Sequence, residues 1–416
     1  MNEWKEYKLG DIVTFTSGGT PSKSNEAFWG GNIPWISASS MEGYTYADST
    51  LKITELGLKN GSRIAPKNSI LLLVRGSILH QKLQVGIVER DVAFNQDVKC
   101  LQANEEIIDP WFLLFWFKSE EKNLLNKVES TGIGAGKLDT PILKDLLIKV
   151  PPINERRKLN EFFKAIQGKI ELNRKMNQTL EAMAQAIFKS WFVDFDPVID
   201  NAIQASNEIP EEFQVRAEKR RRVISGDVIA SAAKQSLKPL HHTNPSLASQ
   251  FPASFVFNET LGKWIPEGWE VKKIEDIANQ IAMGPFGSSI KVSTFVEEGV
   301  PVISGQHLKE SMLDDNSFNF VTEDHAEKLK RSIVHRGDII FTHAGNIGQV
   351  AIIPESSKYN RYVISQRQFY LRCDTKKTSP LLITYFFKSS EGQHALLANA
   401  SQVGVPSISR PSSYLK

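Results

Sequence analysis

The sequence predicts an α+β fold: two copies of one domain, with a long coiled-coil-like helical spacer between them in the chain. Three observations carry this. Short blocks recur in order in the two halves. A proline-free stretch between the halves bears a heptad stripe. Within each half, brief apolar or β-branched runs are punctuated by Gly, Pro, Asn and Ser, as strands are.

The first copy spans 1–150 and the second 266–416. Trp4, Leu9, Asp11 and Ile12 recur as Trp269, Ile274, Asp276 and Ile277. Ile33-Pro34-Trp35-Ile36-Ser37 returns as Val300-Pro301-Val302-Ile303-Ser304, and Ser69–Leu72 returns as Asp338–Phe341, with Gly76 falling on Gly345. Asn95-Gln96 matches Ser365-Gln366, and Phe115–Ser119 matches Tyr385–Ser389. Gly134, Leu138 and Pro141 fall on Gly404, Ile408 and Pro411. A single match would be chance; an ordered series in matching chemistry is a duplication. Ser69–Val74 and Gly337–Thr342 read as strands. Each copy has one clear helix start, Asp109-Pro110 and Ser379-Pro380. A polar cap followed by proline suits the unsatisfied N–H groups there.

Pro151-Pro152 closes the first copy, and the spacer occupies 151–195. From Glu155 to about Phe192 there is no proline and Gly168 is the lone glycine. Leu159, Ile166, Asn173, Leu180 and Ile187 recur every seven residues. Phe162, Phe163, Ile170, Met176, Met183 and Trp191 fill neighbouring positions of the stripe. This predicts one helix of about 38 residues, ~57 Å long. Its apolar stripe needs cover, either from a partner helix, where Asn173 would fix the register, or from the chain's own domains. Residues 196–265 read as a linker with some local helix. Its basic run, Lys219-Arg220-Arg221-Arg222, is either a solvated face or a contact to a DNA backbone.

Composition narrows the function classes. Hydrophobic residues make up 41 % of the 416 and charged residues 23 %, an ordinary globular balance that excludes wholesale disorder. No apolar run is long enough to span a bilayer, and the N-terminus lacks a secretory pattern. Two cysteines fit a reducing compartment, so a cytoplasmic location is expected. With 50 basic and 47 acidic side chains, bulk charge does not argue for nucleic acid; any DNA contact must be local.

Catalytic constellations are missing. Gly132-Ile133-Gly134-Ala135-Gly136-Lys137-Leu138 mimics a phosphate loop, but Thr131 stands where its first glycine belongs and Leu138 where its Ser/Thr belongs. His241-His242 lacks further ligands at metal spacing, so no metal site is expected. Cys100 and Cys373, on near-equivalent strands, suit small core hydrophobes better than nucleophiles. What remains is recognition. Two related domains joined by a long helix suit the reading of two separated marks on a linear object such as duplex DNA.

At this point the residues resemble a known family, the specificity (S) subunits of type I restriction–modification systems. The likeness covers nearly the whole chain. It rests on Thr16-Ser17-Gly18-Gly19-Thr20-Pro21-Ser22, on Asn32–Ser37 and on Phe94-Asn95-Gln96-Asp97. It is strongest over Ile170–Met183 and Phe188-Lys189-Ser190-Trp191-Phe192-Val193-Asp194-Phe195, and continues in Pro266-Glu267-Gly268-Trp269 and Gly284–Ser288. The resemblance implies two target-recognition domains, each reading half of a bipartite DNA sequence, and a spacer that docks modification (M) subunits. It implies a non-catalytic chain without a cofactor of its own. Adenine methylation, ATP hydrolysis and cleavage would belong to the M and restriction (R) subunits, with S-adenosylmethionine, ATP and Mg bound there. Members of the family end in a second long helix antiparallel to the first; here the sequence stops at Pro411–Lys416, where that helix is expected to begin. The cover for the stripe would then come from self-association through the spacer helix, a separately encoded fragment or an M subunit. Gly226–Gln250 reads as an insertion without an assigned role. Two rival readings stay open: a truncated S subunit that is inactive or works only as a dimer, and a self-sufficient methyltransferase or nuclease, against which the missing motifs count.

Base reading needs Arg or Lys for guanine, Asn or Gln for adenine, and Ser or Thr for either; backbone contacts need cations and hydroxyls. Inter-strand loops near glycine offer Thr20, Ser22, Lys23, Arg75, Ser77, Asn95, Gln96 and Lys137 in the first copy. The second offers Ser288, Ser289, Lys291, Gln306, His343, Asn346, Gln366 and Arg367. The repeat pairs Ser77 with Asn346 and Gln96 with Gln366. Surface loops are rich in such residues anyway, and Asn95 or Gln96 could equally satisfy buried backbone groups. On the helix, Met176, Leu180, Met183, Ile187, Phe188 and Trp191 are candidates for helix pairing or subunit docking. Packing on the chain's own domains is the alternative for each.

Overall fold

The computed structural model describes residues 3–131, 134–226 and 238–398. The repeat positions Gly404, Ile408 and Pro411, the end at 411–416 and much of the expected insertion lie outside the described residues. The chain divides into two compact units, 1–174 and 175–416, with the boundary inside the long helix.

The duplication is visible strand for strand. The first domain contains β1 (Val13–Ser17), β2 (Trp29–Ile36), β3 (Lys52–Ile53), β4 (Arg63–Ala65), β5 (Ile70–Leu73), β6 (Val85–Val88), β7 (Val92–Phe94) and β8 (Val98–Ala103). One sheet runs β1-β8-β5-β6 and continues to Thr45–Tyr46; the other runs β3-β2-β7-β4. The second domain contains β9 (Ala278–Met283), β10 (Val300–Ile303), β11 (Asn319–Val321), β12 (Ile333–Val334), β13 (Ile339–Thr342), β14 (Val350–Ile352), β15 (Tyr362–Ile364) and β16 (Gln368–Cys373). Its sheets run β9-β16-β13-β14 and β11-β10-β15-β12. Each of these eight strands of the first domain thus has its counterpart eight places later. Even the parallel pair is kept: β2 with β7 (Ile36 opposite Phe94) and β10 with β15 (Ile303 opposite Ile364).

Each domain packs a helix on its core. In the first, α1 (Pro110–Ser119) is capped by Asp109, whose Oδ1 accepts from Trp111 N at 2.8 Å. It buries Phe112, Leu113, Leu114 and Phe117 among strand residues such as Leu71, Val85, Ile87 and Leu101. Cys100 lies in this core and Cys373 in the second domain's, and burial pushes both thiols up, Cys373 to about 11. At Ser379 the side chain makes no capping bond; Pro380 alone marks the start.

The long helix α2 covers Ile153–Phe188 and passes into a wider turn, Lys189–Val193, where Asp194 N donates to Lys189 O. It starts two residues earlier and ends four earlier than the periodicity predicts. No helix among the described residues is long and apolar enough to cross a membrane.

Residues 196–266 overturn the linker expectation. α3 (Asp196–Ala205), α4 (Gln214–Ile224) and the hairpin Phe255–Asn258/Lys263–Pro266 build a core of their own around Ile199, Ala202, Ile209 and Ala217. The basic run is corrected with it. Arg220 is 2 % exposed and forms a bidentate pair with Asp200, Nε donating to Oδ1 at 2.7 Å. One turn earlier, Arg216 clamps Asp196 through Nε and Nη2, both at 2.7 Å, and reaches Asp194. Two aspartates four apart on α3 meet two arginines four apart on α4. Lys219, Arg221 and Arg222 remain exposed. His241 and His242 lie on a short helix, Leu240–Thr243.

Candidate nucleic-acid interface

In the first domain, sheet register decides where the predicted residues go. Ser17 ends β1 opposite Lys99, and Leu73 ends β5 opposite Val98 at the start of β8. The segments after β1, after β5 and before β8 therefore emerge at one end of the same sheet. Those segments carry Thr20, Ser22, Lys23, Arg75, Ser77, Asn95 and Gln96. Lys137 joins them because Gly136–Lys137 pairs with Arg75–Gly76, Lys137 opposite Arg75.

The loop after β1 is seated closely. Gly19 N donates to Phe94 O at 2.9 Å, and a Cβ on Gly18 would overlap that same carbonyl. Thr20 Oγ1 donates to Gln96 Oε1 at 2.6 Å. Ser22 shares a hydroxyl contact with Ser24 at 2.8 Å. Ser22, Lys23, Arg75, Ser77, Gln96 and Lys137 are exposed. Lys137 pairs with Asp139 at 2.6 Å, a surface contact of little energetic weight. Asn95 is different. It is 6 % exposed, its Oδ1 accepts from Asp97 N and its Nδ2 donates to Asp97 Oδ2, so it shapes the turn and does not face solvent. Sequence reasoning missed Lys99, whose ammonium donates to Ser17 Oγ beside this loop; the in–out alternation of β8 would have pointed it there.

The second domain repeats the convergence. Met283 ends β9 opposite Phe369, and Thr342 ends β13 opposite Gln368 at the start of β16. Ser288, Ser289 and Lys291 follow β9, His343 and Asn346 follow β13, and Gln366 and Arg367 precede β16. Gln306 lies in the turn after β10, beside Ser365, whose N donates to Ile303 O at 3.0 Å. Ser288, Lys291, Gln306, Asn346 and Arg367 are exposed. Ser289 is held, its Oγ donating to Phe286 O at 2.9 Å. Gln366 is held more firmly: Nε2 donates to Ile290 O at 2.8 Å and to Gly287 O at 3.3 Å. His343 donates Nε2–H to Gln366 O at 3.0 Å, and its buried Nδ1 finds no partner among the described residues. Burial pushes its pKa down, so the ring is neutral at pH 7 and braces the loop without adding charge. The end of each sheet thus presents exposed cations, hydroxyls and amides, the groups that contact phosphates and base edges.

The helix candidates divide. Met176, Leu180 and Met183 are exposed. Ile187 and Trp191 are half-buried and Phe188 is buried. Phe188 stacks on Tyr385 with centroids 6.4 Å apart, and Trp191 meets Phe251 edge-on at 5.7 Å. For these two, packing on the chain's own second unit is what the structure shows. Glu181 adds a polar anchor there, accepting from Tyr385 OH at 3.3 Å and from Ser311 Oγ.

Comparison with known proteins follows the repeat. The family model described as "Type I restriction modification DNA specificity domain" matches residues 1–182 and again 266–410. The type I restriction enzyme MjaIX specificity subunit of Methanocaldococcus jannaschii is 26 % identical over 359 residues, covering 85 % of this chain and 69 % of that one. The EcoR124I/EcoR124II specificity subunit of Escherichia coli is 36 % identical over 162 residues, 38 % of this chain and 39 % of that one. The HindI specificity subunit of Haemophilus influenzae is 24 % identical over 385 residues, 88 % of this chain and 79 % of that one. With two matches that together span most of its length, the chain belongs to the type I restriction–modification DNA specificity domain family.

Proposed function

We propose that this chain is the DNA-recognition subunit of a type I restriction–modification system, with each domain reading one half of a bipartite target. The observation that supports this best is the convergence, in each domain independently, of exposed Lys, Arg and Ser side chains and an exposed amide at the same end of the same sheet. Lys23, Arg75 and Lys137 in the first domain, and Lys291 and Arg367 in the second, supply phosphate contacts. Gln96, Gln306 and Asn346 are exposed amides suited to adenine. Ser288 and Ser77 suit either phosphate or base. Because the loops differ in composition, the two halves of the target differ in sequence.

The chain contributes recognition and no chemistry of its own. Methyl transfer belongs to M subunits that bind S-adenosylmethionine; cleavage and ATP hydrolysis, with Mg, belong to the R subunit. Met176, Leu180 and Met183 form part of the face that receives an M subunit or a second helix. The complex works in the cytoplasm.

The test is duplex binding by the chain with its cognate M subunits over a salt series. Changing Lys23, Arg75 and Lys137 together to Ala should lower the slope of log K against log salt by up to about 2.7, at ~0.9 for each phosphate that is no longer neutralised. An unchanged slope would remove the first-domain surface from the interface.

A further inference from the structure

The two domains hold their DNA-facing loops by different side chains. In the first, the loop Gly18–Ser24 is pinned from beneath by two indoles. Trp35 Nε1 donates to Gly19 O at 3.1 Å, and Trp29 Nε1 donates to Ser22 O at 3.0 Å. The two rings brace each other edge-to-face, centroids 5.3 Å apart at 82°. Trp35 is 4 % exposed, so its donor is fixed by the core. The bonds bracket Thr20 on either side. In the second domain the positions equivalent to Trp29 and Trp35 are Val296 and Val302, which have no side-chain donor. There the job passes to Gln366, donating to Gly287 O and Ile290 O, with His325 Nε2 on Ser289 O at 2.8 Å. These bonds bracket Ser288 in the same way.

We propose that Trp29 and Trp35 in the first domain, and Gln366 in the second, are positioning residues that fix the loops reading each half-site. Gln366 is therefore spent on backbone carbonyls and is no base reader, whereas its repeat partner Gln96 is exposed and bonds side chains instead, Oε1 accepting from Thr20 Oγ1 and Nε2 donating to Asp97 Oδ2 at 3.4 Å. A loop whose carbonyls are tied down offers its hydroxyls and ammonium groups from one geometry. Untied, it samples several and accepts more than one base at the same place. The inference rests on the DNA-reading function proposed above.

The experiment uses full-length chain in two readouts. Hydrogen exchange, taken without DNA, compares the chain with a Trp29→Phe/Trp35→Phe variant, which leaves a smaller aromatic ring at each position and removes both N–H donors, and with Gln366→Met. Each neutral bond removed should speed exchange about fivefold, in residues 18–24 for the first variant and in 284–291 for the second, with the other loop unchanged. The second readout is the methyl-adenine motif written on DNA in an unmethylated host, each variant co-expressed with the cognate M subunit. The double Trp variant should relax one block of the motif, and Gln366→Met the other block alone. Unchanged exchange in both loops would overturn the latches. Altered exchange with an intact motif, or equal loss of both blocks, would overturn their part in reading. If the unsubstituted chain writes no motif while the exchange differences hold, the functional reading fails and the inferred role falls with it, the latches standing as structure only.

Discussion

The first and second domains share their core strand order, yet their loops are held and furnished differently. Strand order, the parallel pair and the turn that follows it are common property. In that turn Ser37 N donates to Ser40 Oγ, and in its counterpart Ser304 N donates to His307 Nδ1. The loop anchors are not shared: two indoles on one side, a glutamine and a histidine on the other. The lesson is a division of labour. The sheets fix where the loops emerge, and the loops are then free to change what they present and how they are tied.

The equivalence of the frameworks can be broken most forcefully in the cores. Phe117 and Phe387 occupy the same helix position, and each is 1 % exposed or less. Replacing either with Ala should cost about 3–5 kcal/mol and unfold its own unit first, as local hydrogen exchange would show. A near-neutral Phe387→Ala would mean that the second core is not the first one repeated.

A comparable loss is expected where the comparison has no counterpart, in the helical region between the matched segments. Asp200→Ala leaves the Arg220 guanidinium buried without its carboxylate, at about 3–5 kcal/mol. Denaturant unfolding should place that loss in the 175–416 unit. If stability were unchanged, residues 196–266 would be the linker that the sequence suggested.

Gly18→Ala and Gly284→Ala sharpen the comparison at the sites. Each added Cβ overlaps a carbonyl oxygen, that of Phe94 or Ser365. About 1–3 kcal/mol is expected from the forced shift. Each variant should weaken binding to duplexes carrying only its own half-site, measured by titration.

The smallest effect is acid sensitivity. The 1–174 unit has one histidine, His80, whereas the second domain carries His307 and His343, both with pKa pushed below the ordinary value, chiefly by burial. A depressed pKa means that the folded state binds fewer protons. Stability from these rings is therefore intact above about pH 6.5 and is lost as pH falls through their lower folded-state values. The 175–416 unit should lose at most about 1.4 kcal/mol per pH unit for each ring. Melting curves between pH 7.5 and 5 that moved both units together would contradict this assignment.

Much of the framework was legible because duplication leaves paired residues: Ser69–Val74 and Gly337–Thr342 marked the strands β5 and β13, and Asp109-Pro110 and Ser379-Pro380 marked the helices. The heptads marked α2 to within a few residues. The Arg220–Asp200 pair was not read, because a basic run usually lies on a solvated face. The spacing of Asp196 with Asp200 and of Arg216 with Arg220, each one helical turn, was nevertheless there to be seen. Site residues were legible as a chemical class and not as individual roles. Asn95 and Gln366 look like readers in sequence, and only the close approach of Asp97 to the first and of Gly287 and Ile290 to the second shows that they are occupied.

The most direct test of the central claim is the methylation motif itself: this chain, co-expressed with its cognate M subunit in an unmethylated host, followed by sequencing for methyl-adenine. Two domains reading independently predict two unequal sequence blocks separated by a fixed run of unspecified bases. A palindromic motif, or none with both proteins present, would contradict the claim that each domain of one chain reads its own half.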